Sequence, residues 1–147
     1  MTPAWPIVTH RLTVEPTHPA NSAFSRDSIT SLRVSRRADA VIVGEMIVRV
    51  EPDEPTVEVT IVVVEGVRGL GYASEVLGRL VDQLLKAHRF DRVIAVVPEA
   101  HDRARRLLER NGFGAVARDG SELVYSRLRI TVSDEADAKR IAPPHSL

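Results

Sequence analysis

Apolar and polar positions alternate along the first half of the chain and change period in the second. Residues 7–14, 29–34, 41–50 and 56–64 are rich in Val, Ile and Thr and are bounded by prolines or charged turns, which is the pattern of strands. Pro52 and Pro55 separate the last two runs, because a proline has no N–H to give to a ladder. Short connections between 29–34, 41–50 and 56–64 predict an antiparallel meander. Residues 16–27 carry prolines, an Asn and several Ser and Thr, and read as a loop with room for one helical turn.

From Gly71 the apolar residues fall at Ala73, Val76, Leu77, Leu80, Val81, Leu84 and Leu85. That spacing predicts an amphipathic helix over 71–88. Residues 91–97 form a short apolar run that stops at Pro98, a buried strand. Residues 100–111 predict a second helix with Ala104, Leu107 and Leu108 inward, closed by Gly112 where a positive φ is wanted. Residues 113–117 and 122–130 flank Asp119-Gly120 and predict a final hairpin. A strand, a crossover helix and a further strand imply that 56–64 and 91–97 run parallel. The fold class is therefore α/β: a mixed, mostly antiparallel sheet of six to seven strands with two main helices on its faces. One domain is expected over 1–130, and the polar residues 131–147 read as a mobile C-terminal tail.

Composition narrows the chemistry. The 147 residues are 44% hydrophobic, contain no Cys and have a formal net charge of zero. Disulfides, thiolate metal sites and a Cys nucleophile are excluded together. A neutral chain gives no reason to expect a nucleic-acid or membrane partner. The apolar runs are strand-length, the N-terminus has no signal-peptide pattern, and the expected location is the cytoplasm. No metal site is expected.

The informative junction is Arg68-Gly69-Leu70-Gly71-Tyr72-Ala73, between the most β-prone run and the most helical one. Glycines let backbone turn tightly and approach a ligand, and the helix start presents unpaired N–H groups and the positive end of its dipole. That is an anion site suited to phosphate, with Arg68 adding a cation. A Walker loop would need Gly-Lys-Ser/Thr, which is missing. A dinucleotide fingerprint would need Gly or Ala where Ser74 stands. A glycine-rich turn with no ligand is the plainer alternative.

The junction matches the signature Gln/Arg-x-x-Gly-x-Gly/Ala of the GNAT family of N-acetyltransferases, which this sequence resembles over about residues 7–130. Gly71-Tyr72-Ala73-Ser74-Glu75, Leu107-Leu108-Glu109-Arg110-Asn111-Gly112-Phe113 and Thr9-His10-Arg11-Leu12 resemble the branch of ribosomal-protein N-terminal acetyltransferases. The resemblance implies acetyl-CoA as co-substrate, with no metal, and an amine as acceptor. It implies that Val62, Val63 and Val64 line the pantetheine arm, between the strands at 56–64 and 91–97. It implies that Arg68, Gly69, Leu70, Gly71, Tyr72, Ala73 and Ser74 surround the pyrophosphate, and that an N–H near Val62 polarises the thioester.

Proton transfer departs from the family pattern. The Tyr that in many members protonates the leaving thiolate corresponds here to Leu108, and the branch's Asn and Ser near CoA correspond to His101 and Ala104. His101 can carry a proton and stands near the cofactor by this correspondence, although a His in a first helical turn is also an ordinary surface residue. Glu58 shares a strand face with Thr60 and is a candidate base; Glu45 is a second. Both also read as a solvated face paired to residues such as Arg49. Tyr125 on the last strand is a further catalytic candidate, and Arg103 could reach a CoA phosphate. The family's two helices between its first strands are replaced by the short stretch 16–27, which opens the acceptor side or leaves it to a second subunit of a homodimer. Two functions stand: an N-acetyltransferase acting on a primary amine, and a catalytically weak acyl-CoA-binding module with a sensing or interaction role. An unrelated fold with a structural glycine turn is the third.

Overall fold

A computed structural model describes residues 5–18, 24–64, 67–87 and 90–130. The strands are β1 (Ile7–Val8), β2 (Leu12–Pro16), β3 (Ile29–Arg36), β4 (Ile42–Val50), β5 (Thr56–Val63), β6 (Arg92–Pro98), β7 (Gly114–Asp119) and β8 (Glu122–Leu128). They form one sheet in the order β1-β2-β3-β4-β5-β6-β8-β7. Among the described residues only β5 and β6 pair in parallel. Helix α1 (Tyr72–Asp82) follows β5, and α2 (Asp102–Arg110) follows β6.

The sheet has eight strands rather than six or seven. The run over 7–14 folds back on itself: Thr9 N–H donates to the Leu12 carbonyl at 2.9 Å, and Leu12 N–H donates to Thr9 Oγ1 at 3.1 Å. A bend built on a Thr hydroxyl carries no glycine or proline to announce it. The first helix ends in five π-helical residues, Gln83–Ala87. Its expected end at His88 lies outside the described residues, as do 19–23 of the predicted loop and the predicted tail 131–147.

Both helices occupy the same face of the sheet, not opposite faces. Arg127 of β8 donates to Asp82 of α1 at 3.0 Å, while its neighbour on that face, Tyr125, bonds α2. Asn111, just past α2, donates to Ser74 Oγ at 3.2 Å and ties the two helices together. The core fills this layer: Val76, Leu77, Leu80 and Val81 of α1 close over Leu32, Met46, Val57 and Val93. Each such Leu or Val stabilises the fold by about 1.5–3 kcal/mol. On the opposite face Thr60 and Val62 are exposed, and no helix of the described residues lies over them.

Candidate functional site

The parallel pair holds for only three positions, Thr56↔Arg92, Val57↔Val93 and Glu58↔Ile94. Beyond them β5 continues to Val63 and β6 to Pro98 without pairing, so the strands splay. On its other side β5 stays bonded to β4 as far as Gly44↔Val63. The contact is close there: a Cβ on Gly44 would lie 2.7 Å from the Val62 carbonyl oxygen, which only glycine avoids. Glu51 N–H donates to Thr56 O and Val64 N–H to Val43 O. Antiparallel alternation then turns the backbone groups of Thr60 and Val62 toward β4, and those of Ile61 and Val63 toward the gap. The N–H of Val62 itself thus points into the sheet, and the amides near it that face the splay are those of Ile61 and Val63.

Because β5 and β6 are parallel, the helices that follow them start at the same end of the sheet, on the two sides of that gap. The α1 start is built by glycines: Gly69 has φ +84° and Gly71 has φ +82°, a region that L side chains rarely adopt. Gly71 is the N-cap, and among the described residues no side chain caps the α1 amides. A Cβ on Gly69 would meet nothing within 4 Å, so the loop faces open space. Arg68 is exposed and donates from Nε to the Val63 carbonyl at 3.3 Å, which places its guanidinium at the lip of the splay. These features fit a diphosphate: unsatisfied N–H groups, a helix dipole, a cation and room.

The other expected residues are distributed around this opening. Val62 is 57% exposed and Val64 48%, with Val63 half-buried between them. Leu70 is exposed, Tyr72 is buried, and Ala73 and Ser74 are half-buried in the first turn of α1. The Ser74 hydroxyl accepts from Asn111. His101 is the exposed N-cap of α2 and makes no side-chain capping bond; Arg103 is exposed in the first turn. Glu58 lies where the splay begins, on the face away from the helices, with Arg49 Nη2 at 2.7 Å; the same guanidinium holds Glu51 at 2.8 Å. Glu45, paired in register with Val62, is exposed. Tyr125 is 1% exposed, and its hydroxyl donates to Glu109 at 3.0 Å and accepts from Arg105 at 3.2 Å. That hydroxyl is committed to α2. Leu108 is buried in the core.

One constellation at the site was not read from the sequence. The Glu75 carboxylate, in the first turn of α1, accepts from the Thr9 hydroxyl, from Arg11 N–H at 2.8 Å and from Arg11 Nε at 2.8 Å. Burial opposes its charge, but these donors outweigh burial and hold the carboxyl below its usual range. Arg11 also donates to the Leu70 carbonyl at 2.9 Å and lies 4.6 Å above the Tyr72 ring. Residues separated by 64 positions leave no trace of contact in a single sequence. Thr9-His10-Arg11-Leu12 and Gly71-Tyr72-Ala73-Ser74-Glu75 stood out as separate segments, with nothing in the sequence to pair them. Among the described residues no cluster of His, Cys, Asp or Glu could hold a metal ion, and no helix is long and apolar enough to cross a membrane.

Comparison with known proteins agrees with this architecture. Residues 8–114 match the family described as "Acetyltransferase (GNAT) domain". An acetyltransferase (GNAT family) from Bacillus anthracis superposes with a TM-score of 0.69 at 16% identity, over 84% of this chain and 98% of that one. An acetyltransferase from Agrobacterium tumefaciens superposes with a TM-score of 0.68 at 18% identity, over 86% and 96%. The ribosomal-protein-S5-alanine acetyltransferase from Vibrio fischeri gives 0.60 at 14% identity, over 69% and 62%. Among curated protein sequences none matches significantly.

Proposed function

This chain belongs to the GNAT acetyltransferase family, and we propose that it is an acetyl-CoA-dependent N-acetyltransferase acting on a primary amine of a small molecule, peptide or protein. The observation that carries the reading is the meeting, at one end of the sheet, of an opened parallel strand pair with an uncapped α1 start. When bound, acetyl-CoA would supply an activated thioester. The chain's own work is to bind it, orient it and move protons.

The amides of Leu70, Gly71 and Ala73, with Arg68, hold the diphosphate beside Gly69, Tyr72 and Ser74. Val62, Val63 and Val64 guide the pantetheine arm along β5. The N–H of Ile61 or Val63 donates to the thioester oxygen. The amine approaches from the face with no helix, where Glu58 takes its proton. His101 donates to the departing thiolate from across the opening, with Arg103 beside it. Tyr125 supports α2 beneath them.

Membership of the ribosomal-protein branch and a cytoplasmic location belong to the same proposal. So does a homodimer, supported by exposed apolar residues at the final hairpin: Val116 is 62% exposed, Leu128 59% and Ile130 63%. A second reading, a weakly active acyl-CoA-binding module, has Leu108 in its favour. That side chain is buried where the family resemblance puts the acid.

Titration with CoA and acetyl-CoA, followed by melting temperature, tests the loop, since a ligand of the native state raises it by mass action. Thiol release over a panel of amines and peptides then separates enzyme from binder. Glu58→Gln is expected to lower kcat at least tenfold with CoA affinity unchanged; equal rates would remove Glu58 as the base.

A further inference from the structure

We infer that Arg11 and Glu75 form a latch that presets the Leu70–Gly71 peptide for the diphosphate, making both of them positioning residues for the acyl donor. The inference rests on the proposed function and adds to it how the loop is held ready.

The loop is easily turned at one peptide. The Leu70–Gly71 peptide turns through ψ of Leu70 and φ of Gly71, and a glycine at positive φ on one side of it lowers the steric hindrance to that rotation. Rotation would reverse the direction of its N–H. In a trans peptide the carbonyl and the N–H point in opposite directions. Arg11 holds the Leu70 carbonyl at 2.9 Å, so the Gly71 N–H points away from Arg11.

Arg11 is itself fixed in place. Its Nε donates to Glu75 at 2.8 Å, and its guanidinium rests 4.6 Å above the buried Tyr72 ring. Its backbone N–H and the Thr9 hydroxyl complete the Glu75 shell, which ties the β1–β2 bend to the helix start. Glu75 makes no capping bond to α1, so it leaves the amides for the ligand. A carboxylate one turn from a diphosphate would otherwise repel it. The Arg11 guanidinium offsets that charge. Lysine could not do the same, because a single ammonium lacks the planar fork that reaches Glu75 and Leu70 together.

The test uses the full chain, with CoA affinity read by calorimetry and acetyl-CoA kinetics beside it. Arg11→Ala is expected to weaken CoA binding about 30-fold and to raise KM for acetyl-CoA in step, with kcat and KM for the amine nearly unchanged. Arg11→Lys should recover less than half of the loss on a logarithmic scale. Glu75→Gln keeps an acceptor for Thr9 and Arg11 N–H, so it folds if Arg11→Ala does not; it should weaken CoA about fivefold. In wild type the affinity gained from the latch is present above the ordinary carboxylate range. It is lost as pH falls through the depressed value of Glu75, a fall that Glu75→Gln should not show. Equal CoA affinity in wild type, Arg11→Ala and Glu75→Gln overturns the latch while leaving the site standing. A wild-type chain that binds no CoA overturns the site and the latch together.

Discussion

The two helix starts flank the same opening and are built in different ways. At α1 the chain passes through two residues of positive φ, and among the described residues no side chain caps the helix. The turn is braced from behind by the Arg11 guanidinium and by the bend between β1 and β2. At α2 the N-cap His101 has φ −87° and ψ 76°, with no glycine in the turn. There Asp102 stands in the first turn, and nearby Glu99 is paired with Arg118, which holds its carboxyl below the usual range. Both starts carry a helix dipole. Only the first combines bare amides with glycines that let a ligand come close. The difference separates a surface shaped to receive an anion from one that begins a helix beside it.

Three substitutions would break or sharpen this contrast. The largest effect is expected from Gly71→Glu, which forces a side chain into a left-handed conformation and sets a carboxylate beside the diphosphate. CoA affinity should fall at least 100-fold and the thermal shift should vanish; unchanged affinity would remove the α1 start as the anion site. His101→Ala should lower kcat about tenfold while CoA affinity stays within twofold, which would give the α2 start a role in proton transfer alone. A parallel loss of CoA affinity would make the two starts alike. The smallest effect is expected from Arg103→Ala: about a twofold loss in CoA affinity at low ionic strength that disappears in high salt, as an exposed charge must behave. A loss that persists in salt would place Arg103 in direct contact with the ligand.

The order of elements and the loop at 68–73 were legible because period and glycine spacing are local properties. The parallel pairing of β5 with β6 was legible too, from the crossover rule alone. Its abrupt end after Glu58↔Ile94 was not, since Ile94-Ala95-Val96-Val97 has the composition of a paired strand. The bend at Thr9 was hidden for the reason that hid the Glu75 shell: both depend on a side chain reaching a backbone group or a distant residue. Glu58 was chosen by strand face and Tyr125 by its strand alone. Their partners, Arg49 for one and Arg105 with Glu109 for the other, come from register and helix placement that one sequence does not encode locally.

The crowding of both helices onto one side of the sheet has a consequence for traffic. Among the described residues a slit between β5 and β6 is roofed by helices on one side and has none on the other, which in the proposed reaction would give each reactant its own doorway. The acyl carrier can be seated from the helical side while its acceptor comes and goes from the bare side. In the proposed reaction neither has to be released before the other arrives, and a chain without a Cys to carry the acyl group on its own thiol has no need to store it between visits.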